Sequence, residues 1–422
     1  MASLKDRLIR LLRWSEKYTK TDMVYLAKGG FWSVFAQVIT ALLVFGFAIL
    51  VAHVLPKDVY GEYKYVIATV SLLSAFSLTG LGTAVFQSVA SGFDGALFEG
   101  FWANIRWSIL VFLGALGLAV YYFLQGNATL AIGMLIGGSL SPFLTSLNLS
   151  GAFLSAKKDF ARSNIYFSIF ENIIAIGALA VTVLLTQNVL ILVSVYFASN
   201  VLATYFIYRR VVRLYRPDPT VTDRSMMLYA KHLSLMGVLG GIANNIDQIL
   251  VFHFVGPVEL AIYNFAIAIP DQFKGPLKSL DAMMQAQFSG RTDREISVGM
   301  SNKMLWMLLV SAMGIVLYIL LAPFIFKILF PKYLDSVLYS QLYALAYLAN
   351  SLNPASSYLA IRKKVREQYA GTITDATIKI ITMLIGVMTG GLLGLIIARV
   401  VTRFGYMLFN YGLYRRSITQ SA

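Results

Sequence analysis

Twelve long apolar stretches, separated by short polar segments, follow one another along the 422 residues of this chain. A bilayer hydrocarbon core of about 30 Å requires roughly 20 helical residues to cross it. The chain is 58% hydrophobic and 13% charged, whereas soluble proteins average about 45–50% apolar and about 25% charged residues. The pattern predicts an all-α polytopic membrane protein with twelve transmembrane helices, and it excludes cytosolic enzymes, secreted modules and disordered chains. The predicted spans, numbered 1 to 12 in chain order, are 29–54, 65–89, 107–124, 128–154, 165–186, 189–208, 232–254, 261–289, 304–326, 338–360, 372–389 and 391–411.

The positive charges alternate with the spans. If the N-terminus is cytoplasmic, 25 of the 35 Lys and Arg residues fall in cytoplasmic segments and four on the outer side. This asymmetry follows the positive-inside rule, so both termini are expected in the cytoplasm, and it accounts for most of the +15 net charge without a nucleic-acid partner. The predicted division is an N-terminal segment 1–28, an N-lobe 29–208, a cytoplasmic linker 209–231, a C-lobe 232–411 and a cytoplasmic tail 412–422.

The N-terminal segment 1–28 carries Leu residues at helical spacing with seven Lys and Arg residues around them. This pattern is typical of a basic amphipathic helix lying on the inner leaflet. A positively charged topology anchor and a specific lipid-binding role both fit it.

An internal repeat appears when the chain is shifted by 200 residues. The segment that starts at Ile49 reads ILVAHVLPKDVYGEYKYVIA, the segment that starts at Ile249 reads ILVFHFVGPVELAIYNFAIA, and seven of the twenty positions are identical. Each copy ends the first span of a six-span half and enters the second. The halves therefore have the same orientation and are related by an axis along the membrane normal, an architecture typical of alternating-access transporters.

The sequence around Pro56, Tyr60, Gly61 and Tyr63 resembles the A-R-x-L-G-P-x-x-Y-G-x-Y signature of Wzx-type polysaccharide flippases. These flippases belong to the multidrug/oligosaccharidyl-lipid/polysaccharide (MOP) exporter superfamily. The chain departs from the signature at His53, where Arg is usual, and it lacks the Gly before the Pro. The glycine and proline are expected to serve a tight external turn, which makes these residues a fold marker. The tyrosines, with Tyr65, also fit an interfacial aromatic belt.

The resemblance implies a MATE-like fold and a function in polysaccharide biosynthesis. The chain would move an undecaprenyl-pyrophosphate-linked oligosaccharide, such as an O-antigen (lipopolysaccharide) or exopolysaccharide unit, from the inner to the outer leaflet of the bacterial inner membrane. Membrane lipids, a polysaccharide polymerase and chain-length proteins are the implied partners. The same superfamily contains drug/cation antiporters and a peptidoglycan-precursor flippase, which typically has more spans than this chain can hold.

Span 8 contains four charged residues, and ionisable groups at membrane depth usually face a cavity or a partner. On a regular helix, Asp271, Lys274, Lys278 and Asp281 fall within an arc of about 80°. Two interpretations are open. The residues pair within the stripe, Asp271 with Lys274 and Lys278 with Asp281, or the two lysines line the cavity and bind the substrate pyrophosphate.

Span 7 places Asn244, Asp247 and Gln248 on one face, together with two glycines that permit close helix packing. Asn244 and Gln248 are predicted to bind substrate. Asp247 fits a proton or cation site, a partner for a lysine of span 8, or a hydrogen-bonding group for sugars.

Two further charged pairs lie in the last two spans. Arg399 and Arg403 are one helical turn apart on span 12, and Arg399 is the predicted substrate-binding residue because it lies deeper. Arg403 is expected to snorkel to the cytoplasmic interface. Asp375 and Lys379, four residues apart on span 11, are expected to pair with each other.

No catalytic, metal or nucleotide site is predicted. The chain has no cysteine, no G-x-x-x-x-G-K-[ST] loop and no metal-spaced histidines. No cofactor is expected, although H⁺ or Na⁺ coupling through Asp247, Asp271 or Asp281 is consistent with the sequence. Two alternatives to a flippase stay open, namely a proton- or Na⁺-coupled small-molecule/cation antiporter of the same fold and a non-transporting scaffold of a polysaccharide assembly complex.

Overall fold

The computed structural model describes residues 23–274, 284, 288, 293–361 and 365–419, and every regular element within them is helical. Residues 1–22, which form most of the predicted amphipathic segment at the N-terminus, lie outside the described residues. Lys278 and Asp281 also lie outside them.

The described helices correspond to the twelve predicted spans. In the N-lobe they are Met23–Val54 (span 1), Lys57–Leu73 with Leu81–Ala90 (span 2), Ala96–Leu124 (span 3), Ala128–Ala156 (span 4), Phe160–Leu185 (span 5) and Val189–Tyr215 (span 6). In the C-lobe they are Met226–Phe254 (span 7), Pro257–Ala268 with the 3₁₀ turn Pro270–Phe273 (span 8), Asp293–Leu329 (span 9), Ser336–Ala344 to Asn353–Ile361 (span 10), and Val365–Thr419, which contains spans 11 and 12.

Among the described helices, eight are long and apolar enough to cross a membrane, and the last of these contains both span 11 and span 12. The other spans are interrupted. Span 2 contains a 3₁₀ turn at Ser74–Phe76, and span 10 contains one at Leu345–Leu352. Between spans 11 and 12 the chain reverses at Gly390 and Gly391. Gly391 has φ +55°, in the left-handed region that glycine adopts without a steric penalty.

Several spans begin earlier than predicted, among them span 9, which begins at Asp293 in place of residue 304. Span 2 begins at Lys57 and span 3 at Ala96, whereas the apolar runs begin near residues 65 and 107. These early segments mix charged residues, such as Lys57 in span 2 and Glu99 in span 3, with buried ones such as Leu97 and Gly100. A search for continuous apolar runs misses turns of this kind because burial against neighbouring helices, not lipid, accounts for them.

The repeat is reproduced in the helix boundaries. Spans 1 and 7 end at Val54 and Phe254, and the next helices begin at Lys57 and Pro257. Both pairs of boundaries are separated by the 200-residue shift found in the sequence. Each half packs mainly on itself, and the halves meet chiefly where span 2 packs against spans 7 and 8.

The segment that joins the halves is attached to the N-lobe. Span 6 continues to Tyr215 and span 7 begins at Met226, so the connecting segment is 216–225, shorter than the predicted linker. The Ser88 hydroxyl donates a hydrogen bond to Asp223 at 2.6 Å. This bond, with one from Ser225, lowers the pKa of the Asp223 carboxyl below its usual range. The segment is therefore a fixed part of the predicted cytoplasmic surface.

Candidate functional site

A buried ion pair joins spans 7 and 12. The Arg399 guanidinium donates to the Asp247 carboxylate at 2.6 Å, and Asp247 is only 2% exposed. The Tyr263 hydroxyl of span 8 lies between the two and contacts both. The guanidinium also lies 4.9 Å from the centre of the Tyr343 ring. Arg399 is thus held by three spans in addition to its own.

A second ion pair lies in span 8. The Lys274 ammonium contacts the Asp271 carboxylate at 2.7 Å, and Asp271 also accepts hydrogen bonds from Tyr343 at 2.9 Å and Tyr347 at 2.7 Å. Asp271 lies in a 3₁₀ turn, so the regular helical spacing assumed for the predicted stripe does not apply there. The structure therefore contains the Asp271–Lys274 pair, which is one of the two pairs that the pairing interpretation of the stripe predicts. The second pair lies outside the described residues.

A cavity of about 250 Å³ opens beside these pairs in the C-lobe. Its lining includes Asp375 and Lys379 of span 11 and Arg399 and Arg403 of span 12. We call it the C-lobe cavity. Arg403 donates to the Asn350 side chain at 2.8 Å, while its Nε atom and the Asn350 Nδ2 atom are buried without a hydrogen-bond partner.

Two expectations for these residues are wrong. Arg403 does not snorkel, because the last helix continues to Thr419 and the guanidinium is turned inward onto Asn350. Asp375 and Lys379 do not form an ion pair within 4 Å, although their spacing permits one. Among the described residues, the Lys379 ammonium has neither a hydrogen-bond nor an ion-pair partner.

The charges around the C-lobe cavity do not balance. Within the described residues, four cations stand against three carboxylates there, which leaves an excess of one positive charge. The cations are Lys274, Lys379, Arg399 and Arg403, and the carboxylates are Asp247, Asp271 and Asp375. A cation kept at membrane depth without a counter-ion is unfavourable. The arrangement therefore suits an anion that completes it.

A second cavity, of about 390 Å³, lies between span 7 and the N-lobe. We call it the interlobe cavity. Of the described residues that line it, none is charged. Its polar groups are hydroxyls and amides from Ser71, Ser74, Ser77, Thr79, Asn104, Thr145, Asn148, Asn244 and Asn245. Groups of this kind form hydrogen bonds with neutral polar ligands such as sugars.

The predicted polar face of span 7 is divided between the two cavities. Asn244 lines the interlobe cavity, whereas Asp247 is buried in the C-lobe against Arg399. Gln248 is half-buried, and within the described part of the chain it makes no hydrogen bond through its side chain. Span 7 thus places amide side chains in the interlobe cavity and a carboxylate against Arg399 in the C-lobe.

The signature residues close the predicted outer side of the molecule. Pro56 precedes the first turn of span 2, and Tyr60, Gly61 and Tyr63 are buried at the contact between lobes. A β-carbon on Gly61 would overlap the Pro257 carbonyl oxygen. The Tyr60 ring lies 5.4 Å from that of Phe265. The expectation of an aromatic belt is wrong for these tyrosines, because the two lobes cover them.

We call these contacts between the lobes on the predicted outer side the outer seal. Two lysines add to it. Lys57 of span 2 contacts Asp335 at 2.8 Å. Lys332 donates to the His53 carbonyl oxygen at 2.6 Å. The Tyr65 ring stacks on Phe252 of span 7 at 3.8 Å. The structure therefore has the two lobes closed on the predicted outer side.

The sequence interpretation missed Lys379 and Arg403. Local spacing assigned Lys379 to a pair with Asp375, and distance from an apolar boundary assigned Arg403 to the interface. One signal was available in the sequence. Arg399 and Arg403 share a face of span 12, so a cavity that is lined by one of these arginines is within reach of the other. Among the described residues, no group of three or more His, Asp or Glu side chains could hold a metal ion.

Comparisons with known proteins give a family and a fold. A family model described as "Polysaccharide biosynthesis protein" matches residues 26–269. No curated protein sequence matches the chain at a significant level. A multidrug resistance MATE family transporter of the MOP superfamily, solved in an inward-facing conformation, superposes with a TM-score of 0.70 at 13% identity, over 92% of this chain and 98% of that one. The lipid II flippase MurJ, in an inward closed conformation, superposes with a TM-score of 0.70 at 12% identity, over 90% and 87% of the two chains.

Proposed function

Because the chain belongs to the polysaccharide biosynthesis protein family and has the fold of MOP-superfamily transporters, we propose that it is a flippase for a lipid-linked oligosaccharide. Its cargo would be an oligosaccharide on undecaprenyl pyrophosphate, carried from the inner to the outer leaflet of the bacterial inner membrane by alternating access. MurJ, which shares the fold, is a flippase for a lipid-linked substrate.

The observation that carries the proposal is the excess of one positive charge among the described residues around the C-lobe cavity. Lys379 has no partner among the described residues, and the cavity around it has more cations than carboxylates. An ionised group at membrane depth costs about 2.5–3.5 kcal/mol on insertion scales. A pyrophosphate entering the cavity would offset that cost, and Arg399 and Arg403 supply the planar donors that match phosphate oxygens.

The size of the cavities suggests how the cargo is divided. The C-lobe cavity, at about 250 Å³, is large enough for a phosphate group but not for an oligosaccharide. The interlobe cavity is larger, at about 390 Å³, and is lined by neutral hydroxyls and amides. The pyrophosphate would therefore sit among the cations, and the first sugars would sit between the lobes. Asn244 and Asp247 of span 7 separate these two positions.

Charge also distinguishes this function from its alternatives. A cation antiporter requires a cavity with an excess of negative charge, whereas the described residues around the C-lobe cavity include four cations and three carboxylates. A scaffold without a cargo gains nothing from an unpaired lysine at membrane depth. A headgroup with about two negative charges, in contrast, gains roughly 4–5 kcal/mol per 100 mV when it leaves the negative interior.

The test is transport of a defined lipid by the purified full-length chain. Proteoliposomes would contain a fluorescent lipid-linked oligosaccharide, and an enzyme added outside would report the fraction that reaches the outer leaflet. We expect flipping of the pyrophosphate-linked lipid, acceleration by an inside-negative potential, and little flipping of a neutral glycolipid with the same sugars. Equal rates with protein-free vesicles would contradict the proposal, as would transport of organic cations in place of the lipid.

A further inference from the structure

One carboxylate lies deep in the N-lobe, far from both cavities described above. Glu171 follows Phe160 by eleven residues and precedes Leu185 by fourteen within span 5. At about 1.5 Å per residue it lies roughly 16 Å and 21 Å from the two ends of the span. It directly follows a π-helical segment, Asn164–Phe170. Single π-helical turns in α-helices occur frequently at functional sites.

Glu171 differs from the other described carboxylates at membrane depth in lacking any cation nearby. Asp247 and Asp271 are paired with Arg399 and Lys274, and Asp375 lines a cavity together with Lys379 and Arg403. Among the described residues, the Glu171 side chain has no hydrogen-bond or ion-pair partner. A half-buried carboxylate without a counter-ion is most stable in its protonated, neutral form.

The groups that face Glu171 supply no charge to compensate for it. Span 1 packs against this part of span 5 and has no titratable side chain between residues 32 and 52. Span 6 contributes Tyr196, which lies within electrostatic reach of the carboxyl. On span 5 itself, Tyr166 lies five residues before Glu171. The nearest charges on that span, Asp159 and Arg162, neutralise each other at 2.6 Å.

The surroundings fit a proton better than a metal cation. Na⁺ requires several free oxygen atoms, yet the Ser168 carbonyl oxygen beside Glu171 already accepts hydrogen bonds from Thr40 at 2.6 Å and Asn172 at 3.0 Å. A proton needs only the carboxylate itself.

Aromatic contacts join this carboxyl to the outer seal. The Tyr196 ring packs edge-on against Tyr63 at 6.1 Å, and Tyr63 lies 6.3 Å from Tyr60. Tyr60 in turn touches Phe265 of the other lobe. A change of charge at Glu171 would therefore act on the tyrosines that hold the lobes together on the predicted outer side.

We infer that Glu171 is a proton-binding site that couples the closure of the outer seal to an inward flow of protons. The inference rests on the proposed function, because the movement it drives is export of the lipid-linked oligosaccharide. The carboxylate takes a proton from water on the outer side while the seal is open. It releases that proton to water on the inner side when the lobes open inward, so that one proton enters for each cycle and no other bond is made or broken.

The experiment compares wild type with Glu171→Gln, a neutral mimic of the protonated acid, in proteoliposomes with the membrane potential clamped at zero. A trapped pH dye follows protons while the fluorescent lipid-linked oligosaccharide is flipped. Glu99→Gln, a carboxyl change near the predicted cytoplasmic end of span 3, is the matched control. With one proton per cycle, a gradient of one pH unit shifts the outer-to-inner ratio of the lipid about tenfold. We expect this shift in wild type and Glu99→Gln, and its complete loss in Glu171→Gln.

A second readout does not depend on the cargo. In infrared difference spectra between acidic and alkaline pH, Glu171→Gln should lack one carbonyl stretch that wild type shows among the bands of its protonated carboxylic acids. A Glu171→Gln protein that keeps the gradient response and the infrared band would overturn the inference, as would a response to Na⁺ in place of H⁺. If wild type flips the lipid without any response to pH, the coupling is wrong and the proposed function stands. If wild type does not flip the lipid at all, the proposed function fails first.

Discussion

Replacement of Lys379 by Gln should weaken substrate binding without destabilising the protein. In the structure this ammonium faces the C-lobe cavity without a partner among the described residues, so its removal breaks no internal hydrogen bond. Removal also reduces the excess of positive charge around the cavity to zero. We therefore expect the free energy of unfolding of the empty protein to stay the same or to rise.

The expected loss of affinity follows from a hydrogen bond between charged groups. Such bonds contribute about 1.5–3 kcal/mol net, and the Coulomb energy of unit charges 4 Å apart at an effective dielectric constant of 20 is about 4 kcal/mol. Since each 1.4 kcal/mol is a factor of ten, the dissociation constant should rise about 10- to 150-fold. Lys379→Arg keeps the charge and should stay within a few-fold of wild type.

The assay is equilibrium binding of a lipid-linked oligosaccharide to the purified protein in nanodiscs, combined with thermal unfolding of the empty protein. Lys327→Gln is the matched control, because Lys327 is exposed at the predicted outer end of span 9. If Lys379→Gln unfolded at a clearly lower temperature and kept wild-type affinity, Lys379 would be a structural residue and the reasoning would be refuted.

Two further predictions concern the outer seal and the buried ion pair. Gly61→Ala should hold the lobes apart at Pro257 and slow flipping in proteoliposomes. Gly46→Ala is the control, because its added β-carbon meets no atom within 4 Å, and it should flip the lipid at the wild-type rate. Equal flipping rates for the two variants would contradict a role for the outer seal in transport. Asp247→Asn and Arg399→Gln should each destabilise the protein by about 3–5 kcal/mol, because each leaves a buried charge unpaired. The double variant should lose clearly less than the sum in chemical denaturation, and additive losses would show that the pair does not act as a unit.

The span count and the repeat could be predicted because the bilayer sets the length of an apolar helix. The boundaries Val54 and Phe254, and Lys57 and Pro257, keep the shift that the sequence indicates. The interruptions in spans 2 and 10 could not be predicted, since a 3₁₀ turn inside an apolar run leaves the composition unchanged. The early start of span 2 was missed because charged residues in its first turn interrupt the apolar run, although Tyr60 and Gly61 next to them pack against the other lobe.

The partners of the charged residues were harder to predict than the charges themselves. Asp271–Lys274 and Asp375–Lys379 have the spacing of helical pairs, yet only the first pair forms. Arg399 pairs with a carboxylate 152 residues away, and no local pattern indicates such a contact. The position of Tyr60 between the lobes was not predictable either, because tyrosines at the membrane interface and tyrosines between lobes have the same sequence context.

The most direct test of the anion-binding cavity uses the absence of cysteine from the chain. Thr402 lines the C-lobe cavity, and Thr402→Cys places a single thiol there while leaving every charge intact. Methanethiosulfonate reagents of matched size, one anionic and one cationic, would be compared after normalisation to a free thiol. We predict that the anionic reagent reacts faster and that a lipid-linked oligosaccharide protects the thiol. Faster reaction with the cationic reagent, or equal labelling with and without the lipid, would contradict a cavity that binds the anionic headgroup.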